Sequence, residues 1–95
     1  MRIYIIQSPN STENYIDNVL STEQKLIKSG EHVVNPLPDQ IKAISNEELH
    51  NMYASKMEMC DAVYAMENWD KTVLGNAEMA QAMSLRKTIM FEQKV

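Results

Sequence analysis

The chain begins with a run of apolar and β-branched residues, Arg2–Gln7, in which neighbouring positions are apolar instead of alternating with polar ones. Such a run predicts a strand of a parallel sheet, because helices cover both faces of these sheets and leave neither face in water. Three later short runs are predicted as the second, third and fourth strands: His32–Asn35, Ala62–Met66 and Thr88–Phe91.

Segments with apolar residues at helical spacing separate consecutive strands. Two of these segments open with a capping box, at Asn10–Glu13 and at Ser45–Glu48, in which a polar side chain and a glutamate three residues later satisfy backbone N–H groups. Gly30 stops the first segment, as glycine often does after a helix. We expect three helices, the first between residues 10 and 30, the second from residue 45 to near Asp61, and the third from 75 to 87.

A chain of 95 residues has room for one modest core, so residues 1–95 are predicted to form a single α/β domain. The order βαβαβαβ, with a helix in every crossover, predicts parallel strands and right-handed connections. We expect a three-layer sandwich of the flavodoxin or Rossmann-like kind, with a four-stranded parallel sheet in the order 2-1-3-4. Ligands of such sheets bind beyond the carboxyl ends of the strands, which favours residues 7–11 and 67–78 as the ligand edge.

Composition narrows the chemistry that this domain can perform. Thirteen acidic and nine basic residues give a net charge of −4 without a basic stripe, so nucleic acid is not expected as a partner. The single Cys60 and the isolated His32 and His50 predict neither a disulfide framework nor a zinc site, and we expect no metal and no cofactor. The absence of a long apolar run or a signal peptide predicts a cytoplasmic protein without a membrane partner.

The segment from Glu67 to Glu78 holds three carboxylates, a hydroxyl and an indole at the expected ligand edge. Glu78 is predicted near the first turn of the third helix, where unpaired backbone N–H groups lower the pKa of a carboxyl and keep it ionised. An ionised carboxylate can attack the anomeric carbon of a sugar and displace a nucleobase, as in retaining glycosyl transfer. A helix-capping glutamate without any chemistry is the alternative, and spacing alone favours it.

Other polar and aromatic residues at this edge have two interpretations each. Ser8 and Asn10 can hold a phosphate at the start of the first helix or simply cap it, and the glycine-rich phosphate-binding motifs are absent. Trp69 can stack on a base or cover the edge of the core. Gly75 opens a run of small residues that brings the third helix close either to a substrate or to the sheet.

Four stretches of the sequence, in this order and spacing, resemble the nucleoside 2-deoxyribosyltransferase superfamily, in particular its small phage and bacterial branch. Each match is weak alone, but together they cover almost the whole chain. The matching stretches are the opening strand Arg2–Ile5 with its tyrosine, the first helix and second strand with the Gly-x-x-Val-x-Asn-Pro turn Gly30–Pro36, the Cys-Asp-Ala-Val-Tyr strand Cys60–Tyr64, and the loop and helix Trp69–Ala82.

The resemblance implies a carboxylate mechanism and a role for individual residues. Glu78 matches the nucleophile and Tyr4 the hydroxyl that orients it, so these two are the expected catalytic residues. Tyr53 stands where the superfamily usually has an aspartate that serves the leaving base. Ser8 and Thr72 match phosphate-contacting serines of the related deoxynucleoside monophosphate N-glycosidases, whereas the transferases have a sugar-contacting aspartate at the Thr72 position. A hydroxyl at both places slightly favours a nucleotide over a free nucleoside. The expected substrate-binding residues are Ser8, Asn10, Tyr53, Trp69, Asp70, Thr72 and Gly75.

The resemblance and the residues leave three hypotheses. The first is an enzyme that cleaves or exchanges the N-glycosidic bond of a deoxynucleoside or its 5′-monophosphate. The second is a catalytically inactive module of the same fold that binds a nucleotide-like ligand, which Tyr53 favours because a phenol is a poor general acid at neutral pH. The third is an interaction protein whose second half, with seven methionines from Met52 onward, forms a subunit or partner interface. The chain ends at Val95, where the superfamily continues into a segment that completes its sites, often across subunits, so we expect a homo-oligomer, a dimer or larger.

Overall fold

The computed structural model describes residues 1–7, 15–36 and 45–92. Strands and helices alternate along these parts of the chain, and a short 3₁₀ helix precedes the last helix. The bounds are β1 Arg2–Ile6, α1 Tyr15–Lys28, β2 His32–Val34, α2 Asn46–Glu58, β3 Ala62–Ala65, the 3₁₀ helix Trp69–Lys71, α3 Val73–Ser84 and β4 Thr88–Phe91.

The four strands form one parallel sheet in the order β2-β1-β3-β4. Tyr4 of β1 lies beside Val34 of β2 on one side and beside Val63 of β3 on the other. A helix lies between each strand and the next one along the chain, because parallel strands of one sheet need a long crossover connection. The predicted α/β fold with a parallel sheet in the order 2-1-3-4 is therefore confirmed.

Neighbouring positions of β1 are apolar because a helical layer packs against each face of the sheet. One face carries Ile3 and Ile5, which pack with Val19 and Leu26 of α1. The other face carries residues of a second cluster, which α2 and α3 complete. This second cluster, called the Tyr4 cluster below, consists of Tyr4, Ile6, Tyr53, Met57, Cys60, Val63, Ala65, Met79 and Ala82.

Side-chain caps determine where the two later helices begin. The hydroxyl of Ser45 accepts a hydrogen bond from the backbone N–H of Glu48 at 3.1 Å, so the predicted start of α2 is confirmed. α3 begins at Val73, two residues before the predicted Gly75, because Thr72 supplies its N-cap. The predicted third helix was therefore too short at its N-terminal end.

Several elements end earlier than predicted. Each of the first three strands stops one residue before its predicted last residue. α2 ends at Glu58 instead of near Asp61. The carboxylate of Asp61 accepts a hydrogen bond from the backbone N–H of Arg2 at 2.9 Å, which joins the start of β3 to β1. The capping box predicted at Asn10–Glu13 lies outside the described residues. Among the helices of the described ranges, none is both long and apolar enough to cross a membrane.

Candidate active site

Glu78 of α3 has a completely buried side chain. Its Oε2 atom accepts a hydrogen bond from the phenolic hydroxyl of Tyr4 on β1. Tyr4 is also completely buried, and it can reach α3 because its side chain lies on the face of the sheet that α2 and α3 cover. The fold thus brings together the two expected catalytic residues, which are 74 positions apart in the sequence.

Burial decides the charge of this pair. Loss of hydration raises the pKa of Glu78 from an ordinary 4.5 to about 8, and the hydrogen bond from Tyr4 opposes part of that rise. Burial, followed by the negative charge of Glu78, also raises the pKa of Tyr4. At neutral pH the Glu78 carboxyl is therefore predominantly protonated, and the Tyr4 phenol keeps its proton.

The prediction that a helix N-terminus keeps Glu78 ionised is wrong. α3 begins at Val73, so Glu78 is its sixth residue and lies beyond the first turn, where the unpaired N–H groups are found. Desolvation is the larger effect at this position, and it favours the neutral carboxyl. The alternative interpretation of Glu78 as a helix cap is wrong as well, because the side chain of Thr72 caps α3.

Tyr53 of α2 belongs to the Tyr4 cluster and is only 6% exposed. Its hydroxyl lies 2.8 Å from Nδ1 of His50, one turn earlier on the same helix, and the two rings meet edge to face with centroids 5.1 Å apart. Burial and then the negative charge of Glu78 raise the pKa of Tyr53. Tyr53 and Glu78 thus share one electrostatic environment, and the exposed His50 connects Tyr53 to the solvent side of α2.

The turn between β3 and α3 depends on a glycine. A Cβ atom at Gly75 would lie 1.8 Å from the backbone oxygen of Trp69, a distance that no side chain tolerates. The hydroxyl of Thr72 accepts a hydrogen bond from the N–H of Gly75 at 3.1 Å. Gly75 therefore allows the 3₁₀ helix to pack against the beginning of α3. The hydroxyl of Thr72 serves as the N-cap of α3.

Of the other predicted binding residues, two belong to the 3₁₀ helix and two lie outside the described residues. Trp69 is half-buried and packs against the edge of the Tyr4 cluster. Asp70 is exposed, and its backbone oxygen accepts a hydrogen bond from the side chain of Asn76 at 2.9 Å. The predicted phosphate-contacting Ser8 and Asn10 lie outside the described residues.

A cleft of about 310 Å³ opens at the carboxyl ends of β3 and β4. Trp69, Asp70 and Phe91 are among its lining residues, but Glu78 and its hydrogen-bond partner are not. A larger open groove, about 770 Å³, runs along the exposed side of α1 and contains none of the predicted site residues. The structure thus divides the predicted residues into a buried group around Glu78 and a group at the edge of the sheet around Trp69.

Two residues near the site were not singled out from the sequence. His50 precedes Tyr53 by three residues on a predicted helix, a spacing that places side chains together and could have indicated the contact. Gln7 follows β1 at the predicted ligand edge, and its side chain is 1% exposed. Within the described ranges, no group of three or more His, Cys, Asp or Glu side chains is placed to hold a metal ion.

A family model for a domain of unknown function, DUF4406, matches residues 1–91. The chain belongs to the DUF4406 family. None of the curated protein sequences matches this DUF4406 chain.

Solved structures similar to this DUF4406 chain come from bacteria and a protozoan. A 2-deoxyribosyltransferase from Bacillus psychrosaccharolyticus has a TM-score of 0.72 at 22% identity, over 96% of this chain and 71% of that one. A CMP N-glycosidase from Clostridium botulinum has a TM-score of 0.72 at 15% identity, over 96% and 70% of the two chains. A 2-deoxyribosyltransferase from Leishmania mexicana has a TM-score of 0.63 at 21% identity, over 95% and 62%. The resemblance noted in the sequence is therefore confirmed for the fold, which is that of the nucleoside 2-deoxyribosyltransferases.

Proposed function

We propose that this protein cleaves or exchanges the N-glycosidic bond of a 2′-deoxynucleoside or its 5′-monophosphate, with Glu78 as nucleophile and Tyr4 as the residue that orients it. The observation that carries the proposal is the buried hydrogen bond from Tyr4 to Glu78. A carboxyl group that is held by a phenol, removed from water and raised in pKa is typical of catalytic sites. Similar folds in proteins named for deoxyribosyl transfer and N-glycoside cleavage support this reaction class.

The proposed reaction has two steps at the anomeric carbon of the sugar. In the first step, the Glu78 carboxylate forms a bond to C1′ while the C1′–N bond breaks. The electron pair of the broken bond leaves with the base, which takes up a proton. In the second, water or another base attacks C1′ and releases the carboxylate. The hydrogen bond from Tyr4 to Oε2 holds the carboxyl plane in one orientation and stabilises the charge that returns to Glu78.

The burial of Glu78 has a consequence for substrate binding. The side chain of Glu78 has no exposed surface. The C1′ atom of a sugar can therefore reach its carboxyl only if neighbouring side chains of the Tyr4 cluster move. The carboxyl must also lose its proton before it attacks, because only the carboxylate is a nucleophile. Movement of these side chains and loss of the proton must both accompany substrate binding, so binding of the correct substrate is part of the activation of Glu78.

The direct test is an assay for released base. The protein is incubated separately with the four common 2′-deoxynucleosides and with their 5′-monophosphates, and free base is measured by chromatography. We expect release from at least one of these substrates, and we expect Glu78→Gln to abolish it while the variant remains folded. If the wild-type protein releases no base from any of them, the proposed reaction is wrong.

A second candidate function is ligand binding without turnover. Tyr53, a phenol whose pKa is raised by burial, is the observation that favours it, because such a group holds its proton firmly. Thermal stabilisation by one nucleotide without any release of base would support this alternative. The same mixtures therefore distinguish the two functions.

We also propose that the protein forms a homo-oligomer. Two large apolar side chains of α3 lie in water in the single chain, since Val73 is 89% exposed and Met83 is 62% exposed. Association of two copies would remove such surface from water. Light scattering at micromolar protein concentration should give at least twice the mass of one chain, and a monomer would contradict this proposal.

A further inference from the structure

The reaction proposed above, on which this inference rests, needs a proton donor. When the C1′–N bond breaks, an electron pair stays on the departing base, and protonation of that base makes it a better leaving group. The donor must lie on the same side of the sheet as Glu78, because the base departs from the carbon that Glu78 attacks.

The described residues around Glu78 offer few donors. The hydroxyl proton of Tyr4 is already engaged with Glu78. The thiol of Cys60 donates to the backbone oxygen of Lys56 at 3.3 Å, and burial raises its pKa. Tyr53 remains, and it packs in the same cluster as Tyr4, whose hydroxyl donates to Glu78. Burial and then the charge of Glu78 raise the pKa of Tyr53.

A phenol in this position does not release its proton easily by itself. Burial and the charge of Glu78 both disfavour the phenolate of Tyr53, and Tyr4 of β1 lies in the same electrostatic environment. The ring of His50 is placed to exchange a proton with Tyr53, because its Nδ1 atom lies 2.8 Å from the Tyr53 hydroxyl. A protonated imidazole can supply a proton to the phenol oxygen as that oxygen gives its own proton away.

The two rings also differ in their access to water. Tyr53 is 6% exposed, whereas His50 belongs to the exposed residues of α2. The edge-to-face contact, with planes at 79°, holds the imidazole against the phenol. The pair therefore forms a short path for a proton from solvent to the buried side of α2.

We propose that His50 and Tyr53 form a proton relay that protonates the departing base. Tyr53 Oη gives its proton to the base atom that receives the electron pair, and takes the proton of His50 Nδ1, which leaves a neutral imidazole. When water attacks C1′ in the second step, its proton returns through Tyr53 to His50. No proton is gained or lost over the cycle. Tyr53 is then the catalytic residue, and His50 acts through it.

The test compares leaving groups that differ in their need for a proton. One substrate is the deoxynucleoside or nucleotide that the wild-type protein cleaves, and the other is 4-nitrophenyl 2-deoxyriboside, whose nitrophenolate departs without protonation. In Tyr53→Phe we expect base release to slow by about 100-fold or more, the usual contribution of a general acid. Release of nitrophenolate should stay close to the wild-type rate. Equal slowing of both substrates, or of neither, would overturn the relay.

His50→Gln provides a second variant at an exposed position, which tests the relay even if Tyr53→Phe does not fold. In His50→Gln the release of base should slow, because Tyr53 has no imidazole from which to take a proton, whereas the release of nitrophenolate should stay close to the wild-type rate. Equal slowing of both substrates in His50→Gln, or of neither, would overturn the relay. Asn51→Gln, at the next residue of α2, is the matched control and should release base and nitrophenolate at the wild-type rates.

The variants distinguish a failure of the relay from a failure of the proposed reaction. If the wild-type protein cleaves neither substrate, both the proposed function and the relay are wrong. If Glu78→Gln abolishes cleavage while His50→Gln releases base and nitrophenolate at the wild-type rates, the proposed function stands and the relay is wrong.

Discussion

The hydroxyl of Tyr4 on β1 donates a hydrogen bond to the carboxyl of Glu78 on α3, and both side chains are completely buried. The bond joins the first strand of the sheet to the helix that precedes the last strand. Burial favours the neutral form of Glu78, whereas the Tyr4 hydroxyl favours the charged form. The ionisation of one carboxyl is therefore coupled to the folding of the domain.

Glu78→Gln should make the stability of the protein less dependent on pH. The pKa of Glu78 is about 8 in the folded chain and near its ordinary 4.5 in the unfolded chain, so the folded state binds more protons between these values. The free energy of unfolding contributed by Glu78 is therefore full below about pH 4.5 and falls as the pH rises toward about 8. Glutamine does not ionise, so this fall should disappear from the variant.

Urea unfolding at pH 5 and at pH 8 measures this difference. Glu58→Gln removes a carboxyl from an exposed position at the end of α2 and is the matched control. The control should keep the wild-type loss of stability between the two pH values. An equal loss in Glu78→Gln and the wild type would show that Glu78 is not the group that titrates.

Tyr4→Phe should destabilise the protein by about 1–3 kcal/mol, the usual cost when a buried polar group loses its hydrogen-bond partner. The variant keeps the ring in the core and removes only the hydroxyl that Glu78 accepts from. Because that bond lowers the pKa of Glu78, the variant should also raise this pKa further. Urea unfolding gives the cost, and a double-mutant cycle with Glu78→Gln isolates the pairwise part.

Tyr64→Phe is the control for this prediction. Tyr64 is also a buried tyrosine of the central sheet, but it packs in the cluster on the α1 side, away from Glu78. Its variant should show no coupling to Glu78→Gln. A cycle in which Tyr4 and Glu78 are additive would contradict the energetic importance of their hydrogen bond.

Gly75→Ala should destabilise the protein, although alanine is the better helix former by about 1 kcal/mol. The added Cβ would lie 1.8 Å from the backbone oxygen of Trp69, so either the 3₁₀ helix or the start of α3 must move. Ser84→Ala, at the exposed last residue of α3, adds a helix former without this contact and should be neutral or stabilising. Thermal unfolding of the two variants makes the comparison, and a stabilised Gly75→Ala would disprove the close approach.

Thr72→Val should cost about 1 kcal/mol of stability through the loss of an N-cap. The substitution keeps the branched shape and removes the oxygen that accepts from the N–H of Gly75. Thr72→Ser keeps that oxygen and should retain most of the stability. If both variants unfold at the same urea concentration, the cap does not contribute, and a role of Thr72 in substrate contact becomes its main explanation.

Tyr4 and Glu78 show how much of the candidate site can be predicted from the sequence. Tyr4 could be placed in a buried strand because the residues around it are apolar at consecutive positions. Glu78 could be placed on a helix, but the start of that helix was predicted two residues late because the capping role of Thr72 was not recognised. Its pKa was predicted in the wrong direction for a related reason, since helix position is visible in a sequence whereas depth of burial is not.

His50 shows a second limit of prediction from the sequence. Its spacing to Tyr53 is visible in the sequence, but many pairs of residues on a helix have that spacing. The contact at 2.8 Å and the coupling of Tyr53 to Glu78 depend on how α2 is rotated against the sheet. That rotation follows from the packing of the whole Tyr4 cluster, to which two strands and two helices contribute residues.

The sequence by itself determined the order of strands and helices, the parallel sheet and the resemblance to the 2-deoxyribosyltransferase fold, because hydrophobic spacing and short motifs are local properties of a chain. Only the tertiary structure decided that Tyr4 donates to Glu78, that burial raises the pKa of Glu78, and that the ring of His50 lies against the hydroxyl of Tyr53. These properties depend on which distant side chains share a dehydrated space, and water is excluded from that space only when β1, α2 and α3 have packed together.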